Sequence, residues 1–400
     1  MFDFSQITNW FDMLLRMTLS LPGWLATLIE CVLIGIALML AYAGLAIIMI
    51  FMERKVCAAF QCRLGPMRVG LCGTLQVFCD VLKMLVKEIF WVDRADKLLY
   101  CIAPVLVIVG SMGAFGFLPW NNGALVLDFD CSIFLYTAVS SIGVVGVFLA
   151  GWASNNKYSV VSAMRGAVQM ISYEISLGLC LISACVLTGS MQISEIISAQ
   201  SAPFGWLLFQ GHLPAIIAFV VFLIAGNAEA NRGPFDLAEA ESELTAGYHV
   251  EYSGLAFGYY YLAEFLNLFI VSGIAATVFL GGWMPLHIGV DAIDSAMDYI
   301  PGIVWFLGKT FLVVWLLMWV KWTFPRLRVD QILELEWKYL MPVALFNLVL
   351  MTVCVSLGIT GHMFTGIAVA VLIAILCVII ICSSTKKASA ARKAQKLVIG

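Results

Sequence analysis

The stretch from Glu229 to Glu251 concentrates acidic side chains at the end of an apolar run. Its carboxylates are Glu229, Asp236, Glu239, Glu241, Glu243 and Glu251. Arg232 is the one arginine or lysine among them. Crowded carboxylates at a membrane boundary raise one another's pKa values towards neutrality, the condition under which a group takes up and releases protons. The sequence therefore predicts a proton-handling segment here.

Apolar side chains interleaved with these acids argue against the plainer interpretation, a freely solvated acidic loop. They are Phe235, Leu237, Leu244, Tyr248 and Tyr252. Gly233 permits a sharp turn, and Pro234 ends the preceding helix because it removes a backbone donor. The pattern favours a functional segment that packs against the rest of the protein.

Five ionisable side chains lie within or at the ends of apolar runs long enough to cross a membrane. They are Glu30, Glu174, Glu229, Glu264 and Lys309. A charge at membrane depth costs at least about 2.5–3.5 kcal/mol, so each is a candidate functional residue. For Glu30, a neutral hydrogen-bonded carboxyl is the alternative. We expect Glu174, Glu229 and Glu264 to form a proton relay and not a metal site, because no histidine accompanies them.

A second polar segment follows the first apolar run. It contains Glu53, Arg54 and, farther on, Asp80, each beside apolar sequence and near side chains of opposite charge. Functional roles and surface anchoring are both open for these three on pattern alone. Residues 71–91 are apolar on one side and charged on the other, which predicts a helix along the membrane interface or at a protein junction.

Composition determines the class of protein that positions these residues. Hydrophobic residues form 62% of the 400 residues and charged residues 12%, which excludes a soluble globular protein. Runs of about 20 apolar residues cross a membrane as helices, whereas the strands of a β-barrel alternate and are half as long. We predict an all-α polytopic membrane protein with about nine transmembrane helices and one amphipathic helix. The predicted spans are 26–52, 98–119, 131–153, 168–189, 212–230, 253–280, 301–322, 339–359 and 361–383.

The basic residues predict the orientation of these spans. All 22 except Arg16 and Lys309 fall on one side if Glu53 is cytoplasmic, and the loops near 120–130, 190–211 and 281–300 contain none. By the positive-inside rule the amino terminus is periplasmic and the carboxyl terminus cytoplasmic. The predicted parts are an amphipathic segment 1–25, an eight-span core 26–360, a further span 361–383 and a basic tail 384–400. Cytoplasmic loops are predicted at 53–97, 154–167, 227–252 and 321–338.

The twelve cysteines predict no disulfide framework, because most lie inside apolar runs. Four of them, Cys57, Cys62, Cys72 and Cys79, lie in the polar junction segment. Their spacing matches neither paired zinc ligands nor an iron–sulfur run, so free thiols are favoured over a metal site.

At these loops the sequence resembles the H subunit of bacterial NADH:quinone oxidoreductase, the counterpart of subunit 1 of mitochondrial complex I. The resemblance runs from about residue 28 to 358, and its most specific part is the stretch Asn231–Leu237 with the acids after it. The other matching motifs are Glu53-Arg54-Lys55, Gln61 to Pro66, Arg68-Val69-Gly70, Leu75 to Glu88, Ile171 to Glu174, Val250-Glu251-Tyr252, Arg326 to Gln331 and Trp337-Lys338.

The resemblance implies a subunit that forms the entrance to a quinone channel and links quinone reduction to proton translocation. The residues implied for the channel are Glu53, Arg54, Arg63, Asp80 and Phe235. Those implied for proton coupling are Glu174, Glu229, Arg232, Asp236, Glu239, Glu241, Glu243, Glu251 and Glu264.

The resemblance also implies quinone as the substrate, with no flavin, iron–sulfur cluster or metal on this chain and no complete active site. Expected partners are peripheral-arm quinone-site and iron–sulfur subunits, small membrane subunits, antiporter-like subunits and lipids, but no nucleic acid. The expected location is a bacterial inner membrane. The electron donor stays open between NADH, ferredoxin and another reductant.

Two other functions compete with this interpretation. The equivalent subunit of a membrane-bound hydrogenase is disfavoured by the full acidic motif. An ion-coupled secondary transporter is disfavoured because the two halves of the chain show no repeat. The span at 361–383 and the four junction thiols depart from the family pattern and have no assigned role.

Overall fold

A computed structural model describes Met13 and residues 23–358 apart from 91, 240 and 288, and all regular elements in that part of the chain are helical. In chain order the α-helices are α1 Gly23–Phe60, α2 Gln76–Val86, α3 Lys97–Phe115, α4 Ser132–Ala153, α5 Lys157–Thr188, α6 Ile193–Ser198, α7 Leu207–Gln210, α8 His212–Glu229, α9 Glu241–Leu244, α10 Gly254–Phe279, α11 Asp291–Asp298, α12 Gly302–Thr323, α13 Val329–Leu335 and α14 Met341–Ser356. Short 3₁₀ turns lie at Leu71–Gly73 and Gly247–His249, and a π-helical turn, Glu336–Leu340, joins α13 to α14.

Eight of these helical segments are long and apolar enough to cross a membrane, which confirms the predicted all-α polytopic class. They are α1, α3, α4, α5, α8, α10, α12 and the continuous helix from α13 to α14. The ninth predicted span at 361–383, the tail at 384–400 and nearly all of the segment at 1–25 lie outside the described residues.

Three helices extend into stretches predicted as loops. Helix α1 continues through Glu53 to Phe60, α5 starts at Lys157, and the last span starts at Val329. The hydropathy of the sequence drops where charged residues begin, so a span predicted from apolar runs ends at that point. The helices continue because their charged and polar groups find partners on neighbouring helices, as Glu53 does with Lys321.

Helix α10 forms the centre of the bundle and is buried along most of its length. Helices α1, α3, α8 and α12 pack around it, and α2 lies across its first turn. There the Ser253 hydroxyl donates to the Glu88 carbonyl and accepts from Phe90 N, both at 3.0 Å.

Small residues bring α3 and α4 into close contact, as in many membrane helix pairs. A Cβ atom on Gly146 would lie 2.6 Å from Cγ2 of Val107, and one on Gly110 would lie 2.6 Å from N of Gly143. Helix α4 in turn packs against α5, and α5 packs against α8.

Candidate functional site

The turn after α8 presents Arg232 to the interior of the bundle. The Gln169 amide on α5 donates to the carbonyls of Ala228 at 2.8 Å and Phe235 at 2.6 Å. Asn227 Nδ2 donates to the Gly233 carbonyl at 3.2 Å. These bonds pin both ends of the turn, so the Arg232 side chain is held in place although it is only 1% exposed.

Arg232 belongs to a buried group of five ionisable side chains, which we call the inner charge cluster: Glu53, Arg232, Glu239, Glu264 and Lys321. Arg232 Nη1 donates to Glu53, whose other oxygen accepts from Lys321 Nζ at 2.6 Å. Arg232 Nε lies 2.7 Å from Oε1 of Glu264, and the guanidinium lies 4.1 Å from the centre of the Phe265 ring. Burial disfavours the charged guanidinium and so lowers the pKa of Arg232. The negative charges of Glu264 and Glu53 together have a larger effect and raise this pKa.

Glu239 completes the cluster through a hydrogen bond with the Glu264 carboxyl. Burial raises the pKa of Glu239, and the nearby charge of Asp236 raises it further. Two carboxyl groups can hydrogen-bond each other only when one carries a proton. Three carboxyls facing two cations are therefore neutral as a group when they hold one proton, so the cluster has a place to store one.

The remaining acids of the predicted proton-handling segment go to separate partners. Asp236 pairs with Arg326 at 2.6 Å and Glu243 with Arg165 at 2.9 Å. Glu251 accepts from Asn156 Nδ2 at 2.7 Å. The side chain of Glu241 lies outside the described residues. Repulsion among the carboxylates therefore affects the pKa of Glu239 less than the sequence predicts. Burial has the largest effect on this pKa, and the charge of Asp236 has the second largest.

Four tyrosines pack beside the inner charge cluster. Tyr100 stacks on Tyr252 at 4.1 Å between ring centres, and Tyr260 contacts both Tyr252 at 5.0 Å and Tyr248 at 5.3 Å. Burial, with the nearby Glu239 and Glu264, raises the pKa of Tyr248 well above its usual value. The Tyr248 phenol therefore stays neutral, and Tyr248 and Tyr260 line the same cavity as Glu239 and Glu264.

A narrow cavity of about 40 Å³ connects the inner charge cluster with Glu229 at the end of α8. Glu229, Glu239 and Glu264 all line it, together with Ser140 and Asn267. A water molecule needs roughly 10–15 Å³ of such space, so the cavity has room for two or three. Ser140 lies close to Glu229, and Glu174 is near enough to interact with Glu229 electrostatically. The three acids predicted as a relay are thus brought together.

The junction residues lie at the end of α1 and on α2. Arg54 Nη1 lies 2.5 Å from Oδ2 of Asp80, which joins the two helices. Arg63 is exposed and turns instead to Gln61 Oε1, at 2.6 Å. Phe235 packs into the core, with its ring 5.5 Å from that of Tyr173. The structure therefore places Arg54 with Asp80 but keeps Arg63 and Phe235 apart from them.

The two other ionisable residues predicted within spans lie away from the inner charge cluster. Lys309 Nζ donates to the carbonyls of Leu280 and Met284, both at 2.5 Å, and Gly282 at 3.1 Å. It caps the end of α10. Glu30 lies on α1, about 35 Å from Glu53 along the helix at 1.5 Å per residue. In the part of the chain with described coordinates, no three metal-ligating side chains converge.

Several residues of the site are not evident from the sequence pattern. Lys321 stands out there only as a basic residue near the membrane, yet it pairs with Glu53. Glu336, 1% exposed, is absent from the predicted site. Its signal is spacing: Ile332, Glu336, Leu340 and Ala344 recur every four residues on one helix face, which predicts an inward side chain.

Comparisons with known proteins show the family to which the chain belongs. The family described as NADH dehydrogenase matches residues 32–352. The H subunit of NADH-quinone oxidoreductase from Phocaeicola vulgatus is 64% identical over 356 residues, 89% of this chain and 98% of that protein. The protein of the same name from Bacteroides fragilis is 60% identical over 359 residues, 90% of this chain and 99% of the relative. The one from Brevibacillus brevis is 43% identical over 335 residues, 84% and 96% of the two chains.

Proposed function

Because this chain belongs to the NADH dehydrogenase family, we propose that it forms part of a quinone channel and couples quinone reduction to proton movement. It is one membrane subunit of a quinone oxidoreductase complex and holds no complete active site alone. The observation that carries the coupling proposal is the buried cluster of three carboxyls and two cations, which opens onto a cavity shared with Glu229.

The surface of α2 supports the channel proposal. An isoprenoid quinone needs an apolar wall with a polar group at its inner end. Helix α2 exposes a row of apolar side chains, Leu75, Phe78, Leu82, Leu85 and Val86. The Arg54–Asp80 ion pair is on the opposite face of α2, which it holds against α1, so the apolar row stays exposed. Glu53, the residue before Arg54, connects this region to the inner charge cluster.

The charge balance of the cluster supports the coupling proposal. A negative charge formed at the quinone during reduction lowers the cost of protonating a nearby carboxylate. Glu53 lies at the junction and contacts Arg232, which contacts Glu264. A change of charge near Glu53 therefore redistributes the proton shared by Glu264 and Glu239. From there the cavity leads to Glu229 and onward to Glu174.

Two substitutions test the coupling. The purified complex with Glu229→Gln or Glu239→Gln is reconstituted in liposomes, and quinone reduction and proton translocation are measured together. The proposal expects a several-fold drop in protons moved per quinone reduced. Glu195→Gln, at an exposed position of α6, is the matched control and leaves the ratio unchanged. An unchanged ratio in both Glu229→Gln and Glu239→Gln would refute the coupling.

We also propose that the chain lies in a bacterial cytoplasmic membrane, with the end of α1 and the acidic segment facing the cytoplasm. Basic residues at that end support this orientation. Two exposed thiols test it, Cys72 beside α2 and Cys131 before α4. A membrane-impermeant maleimide is expected to label Cys131 from outside intact cells and Cys72 only in inverted vesicles. The reverse pattern contradicts the orientation.

The exposed surface of α2 also suggests which subunits are partners. The row of apolar residues on α2 offers one wall of a binding site, and the Arg54–Asp80 pair fixes the opposite face of α2 to α1. A peripheral subunit that supplies the groups touching the quinone head would complete it, and iron–sulfur subunits would deliver the electrons. Small and antiporter-like membrane subunits would cover the remaining helices. Cross-linking from Cys72 and Cys79, both exposed, followed by mass spectrometry identifies the neighbours.

A further inference from the structure

A buried acid in the last span lies apart from the inner charge cluster and is not among the residues that line the Glu229 cavity. Glu336 opens the π-helical turn between α13 and α14 and is 1% exposed. It follows the first residue of the span, Val329, by seven positions, about 10 Å along a helix. Extra turns of this kind inside α-helices are found preferentially at functional sites.

The contacts of Glu336 are those of a proton-carrying group and not of an ion pair. The hydroxyl of Ser176 on α5 donates to Oε1. Oε2 has no hydrogen-bond partner, and no lysine or arginine pairs with this carboxyl in the described part of the chain. A buried carboxyl without a counter-ion is most stable as the neutral acid, which leaves one proton on Glu336 to give up.

The neighbouring acid shows that this burial is specific. Glu334 lies two positions earlier, is exposed and pairs with Lys338 at 2.5 Å. Successive residues turn by 100° around a helix, so these two carboxyls point to nearly opposite sides. One faces the surroundings of the protein and the other faces Ser176 on α5.

Glu336 is also separate from the path through Glu174 and Glu229. Glu174 and Ser176 are both on α5, but two residues apart, so they lie on opposite faces of that helix. Glu174 interacts with Glu229 on the α4 and α8 side, whereas Ser176 turns to the last span. The two groups of acids are therefore divided by the body of α5.

The span that carries Glu336 also buries an amide. Asn347 lies eleven residues later in the same span. It is 2% exposed, and neither its Oδ1 nor its Nδ2 has a hydrogen-bond partner within the described ranges. Ser176 and Ser183 are buried on α5, which packs against the last span. Buried polar groups therefore occur on both of these packed helices.

One aromatic contact connects Glu336 to the turn that carries Arg232. The Tyr173 hydroxyl donates to the Ile332 carbonyl at 3.0 Å, one helical turn before Glu336. The other side of the Tyr173 ring meets Phe235, 5.5 Å between ring centres. Tyr173 therefore contacts both the turn at 232–235 and the residue one helical turn before Glu336.

We propose that Glu336 is a second proton-holding carboxyl of the membrane domain, parallel to the Glu229–Glu174 path and responsive to the Arg232 turn through Tyr173. This inference rests on the proposed coupling function. The only bond that changes is the O–H bond of Glu336: its proton leaves to a water molecule that reaches the unpartnered Oε2, and the carboxylate later takes one back.

The test uses the whole complex in liposomes, with NADH or reduced ferredoxin as the donor and a short-chain quinone as the acceptor. Two readouts are taken: protons moved per quinone reduced, and the infrared difference spectrum between oxidised and reduced complex. Glu336→Gln is expected to lower the ratio at least twofold and to remove a carboxylic acid C=O band. Glu334→Gln, the exposed neighbour, is expected to leave both unchanged.

Three further results separate the possible outcomes. If the Glu336→Gln complex keeps the carboxylic acid C=O band, the proposal is overturned whatever the number of protons moved per quinone, because Glu336 is then not the acid that changes protonation. If that variant assembles poorly, Ser176→Ala replaces it: a shifted band supports the proposal and an unshifted band overturns it. The Glu239→Gln variant separates the proposal about Glu336 from the proposed coupling function. A lower ratio in Glu239→Gln with an unaltered Glu336→Gln complex refutes only the role of Glu336, whereas an unchanged ratio in both Glu239→Gln and Glu229→Gln refutes the coupling function itself.

Discussion

Arg232 and Glu264 form an ion pair in which Nε lies 2.7 Å from Oε1, with the two side chains only 2% and 11% exposed. Such a pair is costly to bury, because both charges lose their hydration. The cost is offset here by contacts that surround the guanidinium: a second carboxylate from Glu53 and the face of the Phe265 ring. The arrangement makes the charge state of one residue depend on that of the others.

Removal of the Arg232 charge is expected to destabilise the protein strongly. In Arg232→Gln, Glu53 and Glu264 lose their shared partner, and breaking a buried pair costs about 3–5 kcal/mol. Arg165→Gln removes a half-exposed pair with Glu243 and is expected to cost at most about 1 kcal/mol. Thermal unfolding of the detergent-solubilised complex measures both. Equal losses in the two variants would show that the inner charge cluster contributes nothing beyond a surface pair.

Glu239 is expected to make stability fall as the pH rises. Its pKa is raised, so the folded state binds this proton more tightly than the unfolded state does. The stability it contributes is present below the ordinary glutamate pKa and is lost as the pH rises through the raised one. The ionisable groups that face it are Asp236, Glu264, Arg232, Lys321 and Tyr248.

The check is to measure thermal unfolding midpoints at a series of pH values, starting below the ordinary glutamate pKa and rising through the raised pKa of Glu239. Glu239→Gln carries no titrating proton at this position, so its midpoint is expected to fall less steeply with pH than that of the unaltered chain. Glu195→Gln serves as the exposed control and keeps the original slope. A slope that does not change in Glu239→Gln would exclude this residue as the titrating group.

The Arg54–Asp80 pair is expected to position α2 for quinone binding. Asp80→Asn keeps the shape of the side chain but removes the negative charge from the 2.5 Å ion pair, so the KM for quinone is expected to rise several-fold with a smaller change in kcat. The exchange Arg54→Asp with Asp80→Arg is expected to recover part of the loss. Lys83→Gln is the control, because Lys83 is 3.8 Å from Asp80 and mostly exposed. A KM unchanged in Asp80→Asn would separate α2 from the channel.

Lys309 is expected to act on stability and not on turnover. Its ammonium donates to three carbonyls at the end of α10 and lies 4.6 Å from the centre of the Trp206 ring. Hydrogen bonds to a charged group contribute about 1.5–3 kcal/mol each, so Lys309→Met is expected to lower the unfolding midpoint clearly. Lys338→Met removes only an exposed pair and is expected to lower it little. A loss of quinone reduction without a change in midpoint would assign Lys309 a functional role instead.

Much of the fold was predictable because the signals are local. Eight predicted spans coincide with membrane-length helices, since each must bury a continuous apolar run. The predicted spans stop before the end of α1 and begin after the start of α5, because charged residues lower the local hydropathy. Those charges are tolerated only through distant partners: Glu53 on α1 is paired with Lys321, 268 positions away in the chain.

The sequence by itself determined that this protein spans a membrane as helices and that its charged residues gather near one end of the bundle. Both follow from composition and spacing along the chain. Only the tertiary structure decided which acid belongs to which partner: Arg232 meets Glu53 from 179 positions away, Glu243 leaves for Arg165, and Glu336 turns inward to Ser176. Charge pairing depends on distances of a few ångströms between helices, and the order of residues in a single chain does not encode those distances locally.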